Sequence, residues 1–234
     1  MPDRLTPSQR ERLRRLATDL PGLDLDVYRT FGKDPVEPIV GLGDPRARIA
    51  FFGRDPGRDE IQHGMPFIGA GGQKVRAALY RHLYGEDLPG FEDSVKVGLG
   101  FFWINTVPYK PVGNKAWSTR IKKGFQPVVA ELLIANWEGV DIITLGREAF
   151  LWFGLLQPRA TRENLDAFWA REDRFQAVCE TPLALPGEEG RIFRIHPLPH
   201  PSPLNATWYR RFPDLLAARL DQLGVTPATV SLGG

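Results

Sequence analysis

The sequence predicts an α/β fold: a single-domain three-layer sandwich in which a central, mostly parallel four-stranded sheet is flanked by helices. Four short apolar runs are each bounded by turn-forming residues, the pattern of strands buried on both faces of a parallel sheet. Stretches with apolar residues at helical spacing alternate with them, as parallel crossovers require. A chain of 234 residues with 42% hydrophobic content fits one large core better than two small ones.

Thr6 and Pro7 offer a capping hydroxyl and a residue suited to a first helical turn. Leu13, Leu16 and Leu20 follow at helical spacing, so a helix runs to about Pro21 and Gly22. Residues 1–45 form a helical lead-in packed on the domain. Strand one spans 49–52 and stops at Gly53-Arg54-Asp55-Pro56-Gly57, whose glycines and proline hold Asp55 on a tight turn at the strand's carboxyl end. Taken alone, that turn is either the start of a site or a plain connection with a solvated aspartate.

Residues 58–72 read as a loop containing Gly64-Met65-Pro66-Phe67-Ile68-Gly69. Phe67 there is either a platform for a planar ligand or a plug for the core. Gly71-Gly72-Gln73 opens a helix with Val75, Leu79 and Leu83 on one face. The second strand lies within 98–107 and carries Asn105 near its carboxyl end. A side-chain amide there can read a pyrimidine edge or tie down a loop.

A basic loop over 108–118 carries Lys110 and Lys115 and can touch a phosphate backbone. A helix over 127–137 follows, with Pro127 in its first turn. Strand three, 140–145, ends at Gly146-Arg147. Helices over 148–156 and 161–171, a strand over 175–179 and a turn over 187–190 come next. The last buried strand opens at 191–195 and runs into a segment in which Pro197, Pro199, Pro201 and Pro203 forbid helix and stiffen the chain. A final helix spans 206–220, with Pro213 kinking or splitting it, and residues 223–234 form a flexible tail. The α/β domain proper is therefore 46–222.

The net charge of +2 conceals an asymmetry. Residues 101–130 and 191–211 contain no acid, whereas they hold nine lysines and arginines, which leaves the rest of the chain acidic by seven. Two acid-free basic stretches are the footprint of a surface that meets phosphates. No apolar run approaches the roughly 20 residues that span a bilayer, and the arginine-rich start has no apolar signal core. A soluble, cytoplasmic protein with no membrane contact is expected, and no obligate protein partner is evident. Cys179, the one cysteine, excludes an intrachain disulfide and any cluster needing several thiolates.

Asp55, Asn105 and His200 each fall at the carboxyl end of a different predicted strand, the edge where open α/β sheets build their sites. Over roughly 46–220 the chain resembles the uracil-DNA glycosylase superfamily. Gly53-Arg54-Asp55-Pro56-Gly57 is similar to its first signature motif, and His200-Pro201-Ser202-Pro203-Leu204-Asn205 to its second. The resemblance implies that Asp55 prepares the hydrolytic water, Phe67 stacks on a flipped base and Asn105 pairs with the edge of uracil. It further implies that His200 stabilises charge on the departing base, Ser202 contacts a phosphate and Leu204 wedges into the duplex.

On this reading Gly53, Arg54 and Gly57 line the base pocket. Lys110, Lys115, Pro201, Ser202, Pro203, Leu204 and Asn205 meet single- or double-stranded DNA containing uracil, with Lys122, Lys123, Arg210 and Arg211 as further backbone contacts. The implied reaction is hydrolysis of the N-glycosidic bond to an abasic site, with no metal and no cofactor. No lysine is placed to form a Schiff base, so a monofunctional enzyme is expected.

Asp at the first-motif position is similar to the uracil-specific branch. Gly57, however, stands where that branch uses a tyrosine to exclude the thymine methyl group. Asn205 is similar to the single-strand-selective branch, and 64–69 to the iron–sulfur branch, whose cysteines are missing. His196 rivals His200 but does not continue into Ser-Pro-Leu, and Asp59 and Glu60 lie past the turn as solvated or capping residues. A non-catalytic damaged-DNA binder, a glycosylase for deaminated purines and a Rossmann-like nucleotide enzyme are the alternatives; the last lacks the Gly-x-Gly-x-x-Gly spacing.

Overall fold

The computed structural model describes residues 5–185 and 189–230. Its sheet has five strands, β1 (Ile49–Gly53), β2 (Phe102–Asn105), β3 (Asp141–Leu145), β4 (Cys179–Leu183) and β5 (Arg191–Leu198), in the order β2-β1-β3-β5-β4. Neighbours are parallel except β4, which runs antiparallel to β5 at the edge. The expected four-stranded sheet is thus corrected to five. The strand expected over 175–179 is displaced, since residues 172–176 turn and pairing begins at Cys179. Pro182 obscures this strand in the sequence, yet an edge strand tolerates a proline because one side of it needs no donor.

Nine helices stand among the described residues: α1 (Pro7–Ala17), α2 (Leu25–Thr30), α3 (Arg58–His63), α4 (Ala70–Tyr84), α5 (Phe91–Gly98), α6 (Thr119–Ala135), α7 (Arg147–Leu151), α8 (Arg159–Ala170) and α9 (Ala206–Gln222). The capping hydroxyl expected at Thr6 is present and is part of a capping box: Thr6 Oγ1 accepts from Gln9 N, and Gln9 Oε1 accepts from Thr6 N. α6 begins well before the expected 127, because Ser118 caps it and the helix continues through Pro127. The first half of α6 buries Lys122 and Phe125, and this packing outweighs the bond that Pro127 withdraws. Pro213 likewise leaves α9 as one helix.

Strand alternation separates two apolar layers. Ala50, Phe52, Phe102, Ile104, Ile142 and Ile195 face α1, α6, α7 and α8. Ile49, Phe51, Trp103, Ile143, Leu145 and Leu198 face α4, α5 and α9. Leu223 and Val225, placed in the tail by sequence, are buried in the second layer, and His82 Nε2 lies 2.9 Å from the Val225 carbonyl. The expected turn over 187–190 falls partly outside the described residues. No helix among the described residues is long and apolar enough to cross a membrane.

The lead-in is tied to the segment that follows β2. Ile39 N donates to Pro108 O (2.9 Å), Asp24 N to Lys110 O (3.0 Å) and Lys110 N to Tyr28 Oη (3.1 Å). Leu13 of α1 is fully buried in the first layer. Leu13→Ala should therefore lower unfolding stability by about 2–5 kcal/mol in a urea titration, whereas a lead-in folded apart from the domain would leave the main transition in place.

Candidate active site

The carboxyl ends of β1 and β2 meet in register, with Gly53 opposite Asn105. A side chain at Gly53 has no room: a Cβ there would lie 2.5 Å from Phe67 Cζ and 2.7 Å from Asn105 Oδ1. Glycine thus lets an aromatic ring, an amide and the end of a strand converge. Asn105 is nearly buried, and its side chain makes no hydrogen bond with any described residue. Of the two roles open to it in the sequence, tying down a loop is not what it does here.

Phe67 sits at φ +55°, a left-handed conformation rare for a bulky side chain. Its surroundings enforce it. The fully buried Arg76 donates from Nε to Phe67 O (2.8 Å) and from Nη1 to Ser94 O (2.7 Å), while its guanidinium lies 4.6 Å over the Trp103 ring. Burial lowers the Arg76 pKa to about 10, and the nearby Glu60 carboxylate opposes that shift. Gly72 admits the same turn, since a Cβ there would sit 2.1 Å from the Phe67 carbonyl. The Phe67 ring rests 5.1 Å from that of Trp103 and is 8% exposed, so it closes the core while its tip borders Gly53.

Glu60, expected to be a solvated or capping residue, caps and also clamps. Its Oε2 accepts from Gly57 N (2.9 Å) and its Oε1 from Ile68 N (3.1 Å) and Gly69 N (2.8 Å). One buried carboxylate thereby joins the Asp55 turn to the Phe67 loop. A Cβ on Gly57 would lie 2.8 Å from Glu60 Oε2, so a larger residue at 57 requires Glu60 to move.

Asp55 is held on a turn whose backbone is bonded to the chain after β2: Gly53 O accepts from Thr106 N (2.9 Å), and Arg54 O from Thr106 Oγ1. Its side chain is 3% exposed, with both oxygens 3.0 Å from Arg54 Nε. Arg54 Nη2 donates to Asn114 O (2.8 Å). Burial raises the Asp55 pKa from the ordinary 3.8 to about 6, against the opposing pull of Arg54, Lys122 and Lys110. The carboxyl thus titrates just below neutrality.

His200 enters from the end of β5. Gly146, at φ +92° after β3, makes space for it, since a Cβ there would lie 3.0 Å from His200 Cβ. Pro201 packs on Gly71 at the start of α4, and Ser202 N donates to His200 O (2.9 Å). Burial first, then the Arg54 charge, lowers the His200 pKa to about 4, so the imidazole is neutral at pH 7. Its ring makes no hydrogen bond with a described residue. His196 is different: it lies within β5, opposite Ile143, with Asp141 2.8 Å from its Nε2 and Arg219 Nη1 3.2 Å from its Nδ1.

Of the expected DNA contacts, Leu204 is 96% exposed at the tip of its loop, and Pro203 and Lys115 are exposed. Ser202 and Asn205 are half-buried; Ser202 Oγ accepts from Leu204 N (3.3 Å), and Asn205 stands at the N-cap position of α9 without a side-chain capping bond. Pro201 is buried. Lys110 is corrected: it is 4% exposed, and its Nζ donates to Asp24 (2.8 Å), Pro111 O (3.0 Å) and Asn114 Oδ1 (3.0 Å), so it holds the lead-in in place of a phosphate. Lys122 is also buried, paired with Glu148. Arg120, Lys123, Arg210 and Arg211 remain exposed.

Sequence reasoning missed Arg76 and the clamp made by Glu60. Arg76 is one place from the apolar stripe of α4, where a charged residue reads as solvated, and its partners are carbonyls that no pattern marks.

The raised pKa of Asp55 has a consequence for stability. The folded state holds the proton more tightly than the unfolded chain, so stability falls as pH rises from about 4 to about 6. Asp55→Asn, neutral throughout, should be more stable than the wild type above pH 6 by about 2–3 kcal/mol, with the gap closing below pH 4. Denaturant unfolding at pH 4 and pH 7 measures this directly; equal gaps at the two pH values would contradict it.

No curated protein matches the chain. Residues 40–224 match the family described as the Uracil DNA glycosylase superfamily. The matched span runs from the end of the lead-in, through both motif loops and all five strands, to the end of α9, and the chain therefore belongs to the uracil-DNA glycosylase superfamily.

Proposed function

We propose that this protein is a monofunctional DNA glycosylase that flips uracil out of DNA and hydrolyses its N-glycosidic bond, leaving an abasic site. Family membership supports DNA binding and glycosylase chemistry. The observation that carries the finer reading is the pairing of Asp55, titrating at about 6, with His200, held neutral, both within reach of the Arg54 charge. Breaking the bond between C1′ and N1 builds positive charge on the sugar and negative charge on the base. An ionised Asp55 opposes the first and receives a proton from the water that adds to C1′. A neutral His200 donates a hydrogen bond to the second, and the electron pair of the broken bond leaves with uracil.

The pocket side chains fit a pyrimidine. Asn105 has an unpartnered amide, a donor and an acceptor together, and the Phe67 ring borders it at Gly53. Gly57 places no side chain against the base, so exclusion of larger bases rests on Phe67 and Asn105. Flipping costs a few kcal/mol, and the almost fully exposed Leu204 can fill the vacated stack. The exposed cations Lys115, Arg120, Lys123, Arg210 and Arg211 supply phosphate contacts and a salt-dependent affinity.

Uracil release from uracil-containing oligonucleotides in EDTA, read as alkali-dependent strand breaks, tests the proposal. Asp55→Ala and His200→Ala should each lose about a hundred- to a thousandfold in rate. The wild-type pH profile should show one acid limb near pH 6, from Asp55, and no second limb until below about pH 4.5. Intact strands with the wild-type protein would exclude uracil as the substrate. In the same assay, Leu204→Ala should slow release from duplex about tenfold or more while sparing single strands, where no stack must be refilled; equal losses on both would remove Leu204 from the flipping step.

A further inference from the structure

The opposite edge of the sheet carries a second cluster of charge that the glycosylase reading leaves unused. A cavity of about 420 Å³ opens at the amino end of β3 beside the middle of β5, lined by Arg48, Arg194, Arg219, Asp141 and His196. Asp141 begins β3 and Arg48 precedes β1, whereas Asp55 and His200 follow the carboxyl ends of β1 and β5. Its volume lies in the range of pockets that take small molecules. The three guanidiniums share the Asp141 carboxylate in the lining, and Glu180 acts on Arg194 from the paired strand β4. Asp141 is already saturated: it accepts from Arg194 Nε (2.8 Å) and Nη2 (2.5 Å) and from His196 Nε2 (2.8 Å).

Donors are left over once those bonds are counted. Arg194 Nη1 has no hydrogen bond with a described residue, and Arg48 uses only Nη1, to Gly224 O (3.2 Å). Arg219 gives Nη1 to His196 and Nη2 to Phe175 O and Ala177 O (2.9 Å each), while its Nε is buried with no partner. Because Arg219 donates to His196 Nδ1, the imidazole carries its proton on Nε2 and is neutral. The lining therefore carries an excess of positive charge, three arginines against Asp141, with Glu180 across the β4–β5 pair offsetting part of the charge on Arg194. Gln176 and Gln222 add side-chain amides at the wall. Arg48 and Arg194, both exposed, thus keep free donors at the cavity, and the buried Arg219 guanidinium adds its charge to the same lining.

We propose that this cavity binds a phosphate dianion, either free or as the terminal phosphate of a molecule of mononucleotide size. Charge and geometry favour phosphate, since its tetrahedral oxygens can accept from more than one guanidinium at once and its negative charge meets the positive excess in the lining. The inference is independent of the glycosylase reading, because none of these residues lies at the edge that carries Asp55 and His200.

The test is titration of the full chain with inorganic phosphate and, separately, with adenosine monophosphate, followed by the Arg219 Nε–H resonance in nitrogen–proton NMR spectra and by calorimetry. Saturable binding that shifts this resonance, and that weakens about tenfold or more in Arg48→Gln/Arg194→Gln, is the expected result. Tighter binding of the nucleotide would assign the site to a phosphorylated molecule, and equal or tighter binding of phosphate to the free anion. An unmoved Arg219 resonance, or a shift that the double variant leaves unchanged, would overturn the proposal. Should the double variant fail to fold, Arg48→Gln alone carries the test, since Arg48 is exposed.

Discussion

The parallel register that sets Gly53 opposite Asn105 is the constraint on which the candidate site depends. It fixes the end of β1 against the end of β2, and Thr106 then takes the carbonyls of Gly53 and Arg54 and turns Asp55 back over the sheet edge. The missing side chain at Gly53 admits Phe67 and Asn105 to the same spot. A one-residue slip would move each side chain of a strand to the opposite face and would exchange Phe52 with Phe51 between the two apolar layers. The core therefore guards the register, and the register guards the site.

Two aspartates show how differently this fold treats a buried carboxylate. Asp141 and Asp55 have nearly the same side-chain exposure, 4% and 3%. Burial alone would raise Asp141, but bonds from His196 and Arg194 bring its pKa down to about 2. Asp55 has one immediate donor, Arg54 Nε, shared between its two oxygens, and burial prevails. The first carboxylate is fully engaged in holding strand ends together. The second is kept from water yet incompletely paired, a costly state that proteins maintain where a group must exchange a proton or meet a developing charge.

Much of the site was legible because strand ends and turn residues are local signals. Gly53 to Gly57 and His200 to Asn205 announced themselves by glycine and proline at the close of apolar runs, and the structure brings both segments to one edge. What the sequence concealed depends on partners far along the chain. Lys110 reads as a free cation, but the carboxylate that buries it is Asp24, 86 residues away. Arg76 reads as solvated because its partners are backbone carbonyls. The early start of α6 was hidden by Pro127, whose local penalty is smaller than the packing gained by Lys122 and Phe125. β4 was hidden by Pro182, which only an edge position permits.

The same division explains why charge counting along the chain groups buried with exposed cations. Of the lysines in the acid-free stretch after β2, Lys110 and Lys122 are buried and neutralised by Asp24 and Glu148, yet both still act on Asp55 through space. Their charge lowers the pKa of a carboxyl that burial would otherwise raise further, and so keeps Asp55 largely ionised at neutral pH. Lys115, Arg120 and Lys123 remain at the surface. A basic stretch beside a buried carboxylate thus serves two electrostatic ends, and burial decides which lysine serves which.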